Sequence, residues 1–246
     1  MDNPLFFIVA AVALLIVASV ALGIRCYSMP LGNSPRSEEI AEPTDYYLIR
    51  KATMRDARAF RFVLKSGRET VAETCPNENP RKACPSRHEI MRAIRSQHAY
   101  VAELNIDALK AGLPPSESDA IEDLARKKGA GHIVGVFALD PWGDKAYAHA
   151  SGAQWVNPDS KRYAALHWLT VVPEFRGWDV GETILDEAVR LARTQANLSI
   201  RADVYEDNAP MRKLLERYGF SYCGRMAIPD GKSRTKIRAA YELTVD

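Results

Sequence analysis

The sequence predicts an α/β domain preceded by one membrane-spanning helix, and three observations carry that expectation. From Leu169 to Phe220 the chain reads strand, arginine-glycine turn, helix, strand, helix, strand. From Pro4 to Ile24 it is continuously apolar apart from Ser19, about the 20 residues that a helix needs to cross a bilayer. Hydrophobic residues make up 47% of the 246, ample material for one sizeable core. Lys and Arg number 33 against 31 Asp and Glu, a formal net charge of +2 with no basic block, so the composition does not point to nucleic acid.

Residues 1–26 are read as a signal-anchor transmembrane helix. Asp2 precedes the apolar stretch while Arg25 and Arg36 follow it, which places the chain beyond it in the cytoplasm, as a single-pass protein with the lipid bilayer as a partner through residues 4–24. Two alternatives stay open: export after cleavage near Ser19 and Ala21, or a start at Met29 that removes the segment. Residues 27–44, with Pro30, Gly32, Pro35 and Pro43, read as a flexible linker to a domain over 45–246.

Within that domain Tyr46–Arg50 reads as the first strand. Thr53 with Asp56 forms a capping box ahead of a helix that buries Ala57, Phe60 and Leu64. The helical pattern fails from Gly67 to Pro85, the first of two insertions (67–85 and 105–130). Cys75 and Cys84 bracket a turn-rich run whose spacing matches no zinc site, so no metal is expected, and a disulfide between them requires an oxidising compartment. Ser86 and Glu89 cap a second helix with Ile90, Met91 and Ile94, and His98–Leu104 reads as a strand. In the second insertion a small helix is expected after Ser118, presenting Ile121, Leu124 and Ala125.

Ile133–Leu139 is the third strand, with Gly135 where the sheet approaches a neighbour closely. A turn over Asp140–Asp144 follows, and Trp142 and Trp155 are read as packing or acceptor-lining indoles. Tyr163–Val172 is the central strand. Val180, Ile184, Leu185, Ala188, Leu191 and Ala192 recur at helical spacing after it. Ile200, Ala202 and Val204 then alternate with Ser199, Arg201 and Asp203 in a strand. Asn208 caps a helix bearing Met211, Leu214, Leu215 and Tyr218, ended by Gly219. A hairpin closes the chain, joining Tyr222–Ile228 to Thr235–Leu243 through an Asp-Gly turn.

The turn after the central strand is the chemical centre. A strand feeding a helix through a glycine-bearing loop leaves backbone amides pointing outward at the positive end of the helix dipole, an arrangement that receives phosphate or pyrophosphate. Asp179 and Glu182 have capping-box spacing, so Asp179 competes for the same amides. On the central strand His167 shares a face with Leu169 and Val171 by period two and is a candidate general base. Asp203 is a second candidate base or cation ligand, unless Arg201 offsets it. Glu174, Asp203, Glu206 and Asp207 gather in sequence near the same strand ends; their convergence implies a cationic acceptor.

These residues carry a resemblance. Arg176-Gly177-Trp178-Asp179-Val180-Gly181 opening a helix, Asn208-Ala209-Pro210 through Tyr218-Gly219-Phe220, Tyr47–Ala57, His132–Asp140 and Gly152–Glu174 together resemble the GNAT (Gcn5-related N-acetyltransferase) superfamily, in a bacterial-type branch with an added N-terminal membrane segment. The resemblance implies a mixed central sheet splayed at an acetyl-CoA cleft. It also implies transfer of an acetyl group to a primary amine by direct attack, with acetyl-CoA as cosubstrate and a cationic small molecule or peptide amine as acceptor. Backbone at Leu169 and Val171 would bind the acetyl and pantetheine portions. Arg176, Gly177, Trp178, Asp179, Val180 and Gly181 would hold the pyrophosphate, with Asn208 nearby. Two departures bear on this: Asp179 stands where the family has glycine, and Leu215 where it often has a tyrosine acid, leaving Tyr218 three residues on as the candidate acid. A GNAT-fold binding module without turnover, and an exported domain with no CoA role, are the alternatives.

Overall fold

The computed structural model describes residues 46–76, 84–127, 130–158, 161–229 and 235–245. Their frame is a 7-stranded sheet in the order β1-β2-β3-β4-β5-β7-β6. The strands are β1 (Tyr47–Lys51), β2 (Ala99–Leu104), β3 (Ile133–Asp140), β4 (Tyr163–Val171), β5 (Ser199–Val204), β6 (Ser221–Pro229) and β7 (Thr235–Thr244). β4 and β5 are parallel and every other neighbouring pair is antiparallel. The helices are α1 (Ala57–Thr74), α2 (Arg87–Arg95), α3 (Ile106–Gly112), α4 (Pro115–Lys127), α5 (Lys145–Ala148), α6 (Val180–Thr194) and α7 (Ala209–Tyr218).

Local chemistry sets most of the helix starts. Asp56 accepts from the Thr53 amide at 2.7 Å. Glu89 accepts from the Ser86 amide at 2.7 Å while Ser86 Oγ accepts from the Glu89 amide at 3.2 Å. Asn208 Oδ1 accepts from Met211 at the start of α7, and Gly219 ends that helix at φ 112°, a conformation that costs glycine little.

Two elements depart from expectation. α1 does not stop at Gly67 but runs on to Thr74. Gly67 is an interior contact: a Cβ there would lie 2.6 Å from Thr170 Cγ2, so glycine lets the helix rest directly on β4. The segment after β2 forms two helices. Asn105 Oδ1 caps α3 by accepting from Ala108 at 3.1 Å, and α4 begins at Pro115, ahead of Ser118, since proline suits a first helical turn.

Opposite sheet faces carry different helices. Thr170 meets α1 at Gly67, whereas a Cβ on Gly135 would meet Ile184 and Val180 of α6 at 2.9 and 3.2 Å. A second, smaller core of Tyr147, Ala165, Cys223, Met226 and Ala240 lies under α5 and the segment after it. That cover explains why Ser199 and Arg201, the polar side of the alternation in β5, are buried at 0% and 4% exposure.

The membrane expectation is corrected here. Among the described residues no helix is long and apolar enough to cross a membrane; the apolar stretch over 4–24 and the linker over 27–44 lie outside those residues. A preceding transmembrane helix, a bilayer partner and a single-pass placement therefore find no support among the described residues. The Asp-Gly turn of the last hairpin also lies outside. No disulfide joins Cys75 to Cys84.

Candidate functional site

β4 ends at Val171 and hands the chain to a single 3-10 turn, Pro173–Phe175. Gly177 then takes φ 80° with open space where a Cβ would stand, and Asp179 takes φ 58° immediately before α6. The first helical bond runs from Thr183 N to the Asp179 carbonyl at 2.9 Å, which leaves the amides of Val180, Gly181 and Glu182 with no intrahelical acceptor. Tyr47 on β1 pins the loop by donating its hydroxyl to the Trp178 carbonyl at 3.0 Å, and the Trp178 ring packs on Phe175. Burial, and then the Asp179 charge, push the Tyr47 phenol above its ordinary range, so it remains a donor. Gly181 has a packing role as well: a Cβ there would lie 3.0 Å from Leu214 of α7.

The capping box of Asp179 and Glu182 does not form. An N-cap needs extended backbone to turn its side chain onto the helix amides, and the left-handed Asp179 makes no such bond. Glu182 instead pairs with Arg217 at 2.5 Å. The amides therefore stay open, and the Asp179 carboxylate stands beside them without a hydrogen-bond partner among the described residues. Burial first, and the Glu182 charge second, raise its pKa, against an opposing pull from Arg217.

Next to this loop the sheet splits. β4 pairs with β5 only from Tyr163↔Ser199 to Leu166↔Ala202, while β5 continues alongside β7 through Val204↔Ala239. His167 is the first β4 residue past the last pair. β4 also bulges against β3, because Thr170 opposes Val136 and His167 opposes Ala138, leaving Trp168 and Leu169 across from Phe137. Trp168 takes φ 60° in the bulge. One extra residue inverts the side-chain phase, so His167 does not share a face with Val171, contrary to the period-two expectation. Of the backbone groups expected to meet cofactor, the Val171 carbonyl accepts from Arg176 Nε at 3.3 Å.

His167 projects toward the smaller core. Its Nε2 lies 3.5 Å from Asp144 Oδ2, with the imidazole 23% exposed. Asp144 is oriented in turn, its Oδ1 accepting from Ala146 N at 2.7 Å to cap α5. The ring of Tyr147 is 6.1 Å from that of His167. Tyr147 donates to Asp203 Oδ1 at 2.8 Å, and burial, reinforced by the Asp203 charge, drives its phenol well above the ordinary value. Asp203 also faces Arg238 Nε at 3.5 Å.

These partners bear on several of the expected roles. Arg201 does not offset Asp203: it pairs with Glu242 at 3.0 Å and is sandwiched between the rings of Trp155 and Tyr163 at 4.5 and 4.1 Å, which makes Trp155 a packing residue. Asp203 is tied to Tyr147 and Arg238 and so is not a free base. Tyr218 donates to Asp186 of α6 at 2.7 Å, which commits its hydroxyl to the outer side of that helix. Leu215 is 1% exposed in the main core. Tyr241 faces α7, bonded to Arg212 and Glu216. Two of the four acidic groups expected at the mouth are paired with cations, Glu206 with Arg225 at 2.7 Å and Asp203 with Arg238 at 3.5 Å. Asn208 spends its side chain on the α7 cap.

Asp144, Tyr147, Tyr47 and Arg238 are the site residues that sequence patterns did not mark. Asp144 before Lys145–Ala148 has cap spacing and was legible only as a turn. Arg238 arrives from β7, a long-range placement with no local signature.

Comparison with known proteins identifies the frame. Residues 87–220 match the family model described as the acetyltransferase (GNAT) family. Among solved structures, an acetyltransferase of the GNAT family from Streptococcus agalactiae is similar over 80% of this chain and 95% of its own, at 20% identity and TM-score 0.59. One of the GNAT family from Listeria monocytogenes is similar over 80% and 94%, at 16% identity and TM-score 0.53. At these identities the likeness speaks for the fold. No curated protein matches the chain.

Proposed function

The chain belongs to the acetyltransferase (GNAT) family, and from that membership we propose that it transfers an acetyl group from acetyl-CoA to a primary amine, with His167 as general base. The observation that carries the assignment is the place of His167. It is the first residue of β4 beyond the last β4–β5 pair, at the apex of the split, partly exposed and 3.5 Å from an oriented carboxylate. The residues present suit the cosubstrate. The amides of Val180, Gly181 and Glu182 with Arg176 would hold the pyrophosphate, Gly177 leaves the loop unobstructed, and the unpaired length of β4 supplies backbone groups for the thioester arm. Asp179 opposes an anion there.

In the proposed reaction the acceptor arrives as an ammonium and loses a proton to His167, directly or through water. The amine nitrogen attacks the thioester carbonyl, the C–N bond forms, the C–S bond breaks, the CoA thiolate leaves, and the second proton of the amine passes to that thiolate or to solvent. Asp144, 3.5 Å from Nε2, orients the imidazole. Tyr218 is bonded to Asp186, and a thiolate leaves without an acid.

Thiol release measured across a panel of amines tests this. His167→Ala is expected to lower kcat by about 100-fold or more, the usual scale of a lost general base, with acetyl-CoA affinity unchanged. Asp144→Asn is expected to lower kcat by less. A chain that binds acetyl-CoA but releases no thiol with any amine would sink the proposal in favour of a binding module. Full activity in His167→Ala would sink the role of His167 alone.

A further inference from the structure

A groove of about 680 Å³ lies between the first turns of α1 and the start of α2, away from the split in the sheet. Arg55, Arg58, Arg61 and Lys65 line one wall and Arg87 the other. All are exposed, and none has a hydrogen bond or ion pair among the described residues. In sequence these cations are dispersed; three- and four-residue spacing on a helix gathers them on one face. The carboxylates at the borders are already engaged: Asp56 with Arg50 at 2.8 Å, and Glu89 with the Ser86 amide. No carboxylate is among the described residues lining the groove. Beneath it Ile90 is buried and Met91 half-buried, and at the rim Met54 and Phe62 are 46% and 37% exposed.

We propose that this groove binds an acidic stretch of polypeptide carrying aliphatic side chains between its carboxylates. Neighbouring cations on one helix face stand about 5–6 Å apart, close to the roughly 6.6 Å between alternate residues of an extended peptide. Carboxylates on one side of such a peptide meet the arginines while the intervening side chains reach the Ile90–Met91 floor. Single-stranded nucleic acid is held largely by bases stacked on aromatic side chains, and Phe62 is the only aromatic among the described residues lining the groove. A bilayer offers a flat surface to what is here a recess. The inner face of α1 rests on β4 at Thr170, so a bound partner lies across one helix, about 10 Å thick, from the split.

The test uses the full chain and a fluorescein-labelled eight-residue peptide alternating glutamate and leucine, followed by anisotropy. Saturable binding is expected, weakening at least tenfold in R58E/R61E and falling as salt is raised, with acetyl-CoA affinity unchanged. Circular dichroism checks that the variant folds, and R58Q/R61Q serves if it does not. Equal binding by native chain and variants, or equal binding of a lysine-leucine peptide, overturns the proposal. So does tighter binding of a single-stranded oligonucleotide or of phosphatidylserine vesicles, lost in the same variants, which would assign the groove to another polyanion.

Discussion

At the scale of single residues, Asp179 sets the terms on which this site meets an anion. Its left-handed backbone keeps the carboxylate off the α6 amides, and the charge then opposes a pyrophosphate that those amides attract. Asp179→Asn removes the charge and keeps a side chain that tolerates φ > 0. Calorimetry is expected to show acetyl-CoA binding about 3- to 10-fold tighter, the scale of one charge at a helix N-terminus. Because burial raises the carboxyl's pKa, native affinity should also improve on acidification toward the upper edge of the carboxylate range, and the variant should lose that component. The stability sign follows the same shift. A folded pKa above the unfolded one contributes stability that is full below the unfolded pKa and lost as pH rises through the folded one. Asp179→Asn should therefore raise Tm at neutral pH and leave it unchanged in strong acid. Identical affinities and pH profiles would show that the carboxylate does not face the ligand. His167 was legible as a strand residue but its facing was not. That facing depends on a bulge at Trp168, whose left-handed backbone is not marked by a glycine or asparagine.

At the scale of elements, the strands and most helix starts were legible because caps and periodicity are local. Thr53–Asp56, Ser86–Glu89 and Asn208 act where their spacing placed them. The length of α1 was not legible, because Gly67 reads as a breaker unless its contact with Thr170 is known. The apolar segment over 4–24 lies outside the described residues. Gly135 turns close packing into a test. A Cβ there meets Ile184 and Val180 on α6 and Ala102 on β2, the last at 3.2 Å. Ile184 can rotate away, but the Ala102 Cβ cannot. Gly135→Val gains strand propensity of less than about 1 kcal/mol, while overpacking costs about 1–3 kcal/mol. A net fall in Tm is expected, together with weaker acetyl-CoA binding, since α6 displaced from the sheet carries the open amides with it. An unchanged Tm with unchanged binding would mean that the sheet and α6 separate freely.

At the scale of the whole molecule, the two halves meet at a buried charge pair that composition does not reveal. Arg201 and Glu242 have side chains 5% and 0% exposed. Glu242 also accepts from Ser199 Oγ at 2.6 Å, and Arg201 donates to the Asn157 carbonyl at 2.6 Å. One guanidinium thus fastens β5, β7 and the segment before β4, with Trp155 and Tyr163 packed against it. Arg201→Met fills similar space but leaves Glu242 buried without its cation, a loss of about 3–5 kcal/mol. For a domain of this size that corresponds to a fall in Tm of roughly 6–20 °C. Replacing both partners in Arg201→Met/Glu242→Leu removes the stranded charge and is expected to restore much of the difference, because the single variant suffers from desolvation and not from lost volume. Thermal melts of the native chain, the single variant and the double variant decide it. A double variant no more stable than the single one would move the stabilisation from the ion pair to the stacked rings and to the Asn157 and Ser199 hydrogen bonds.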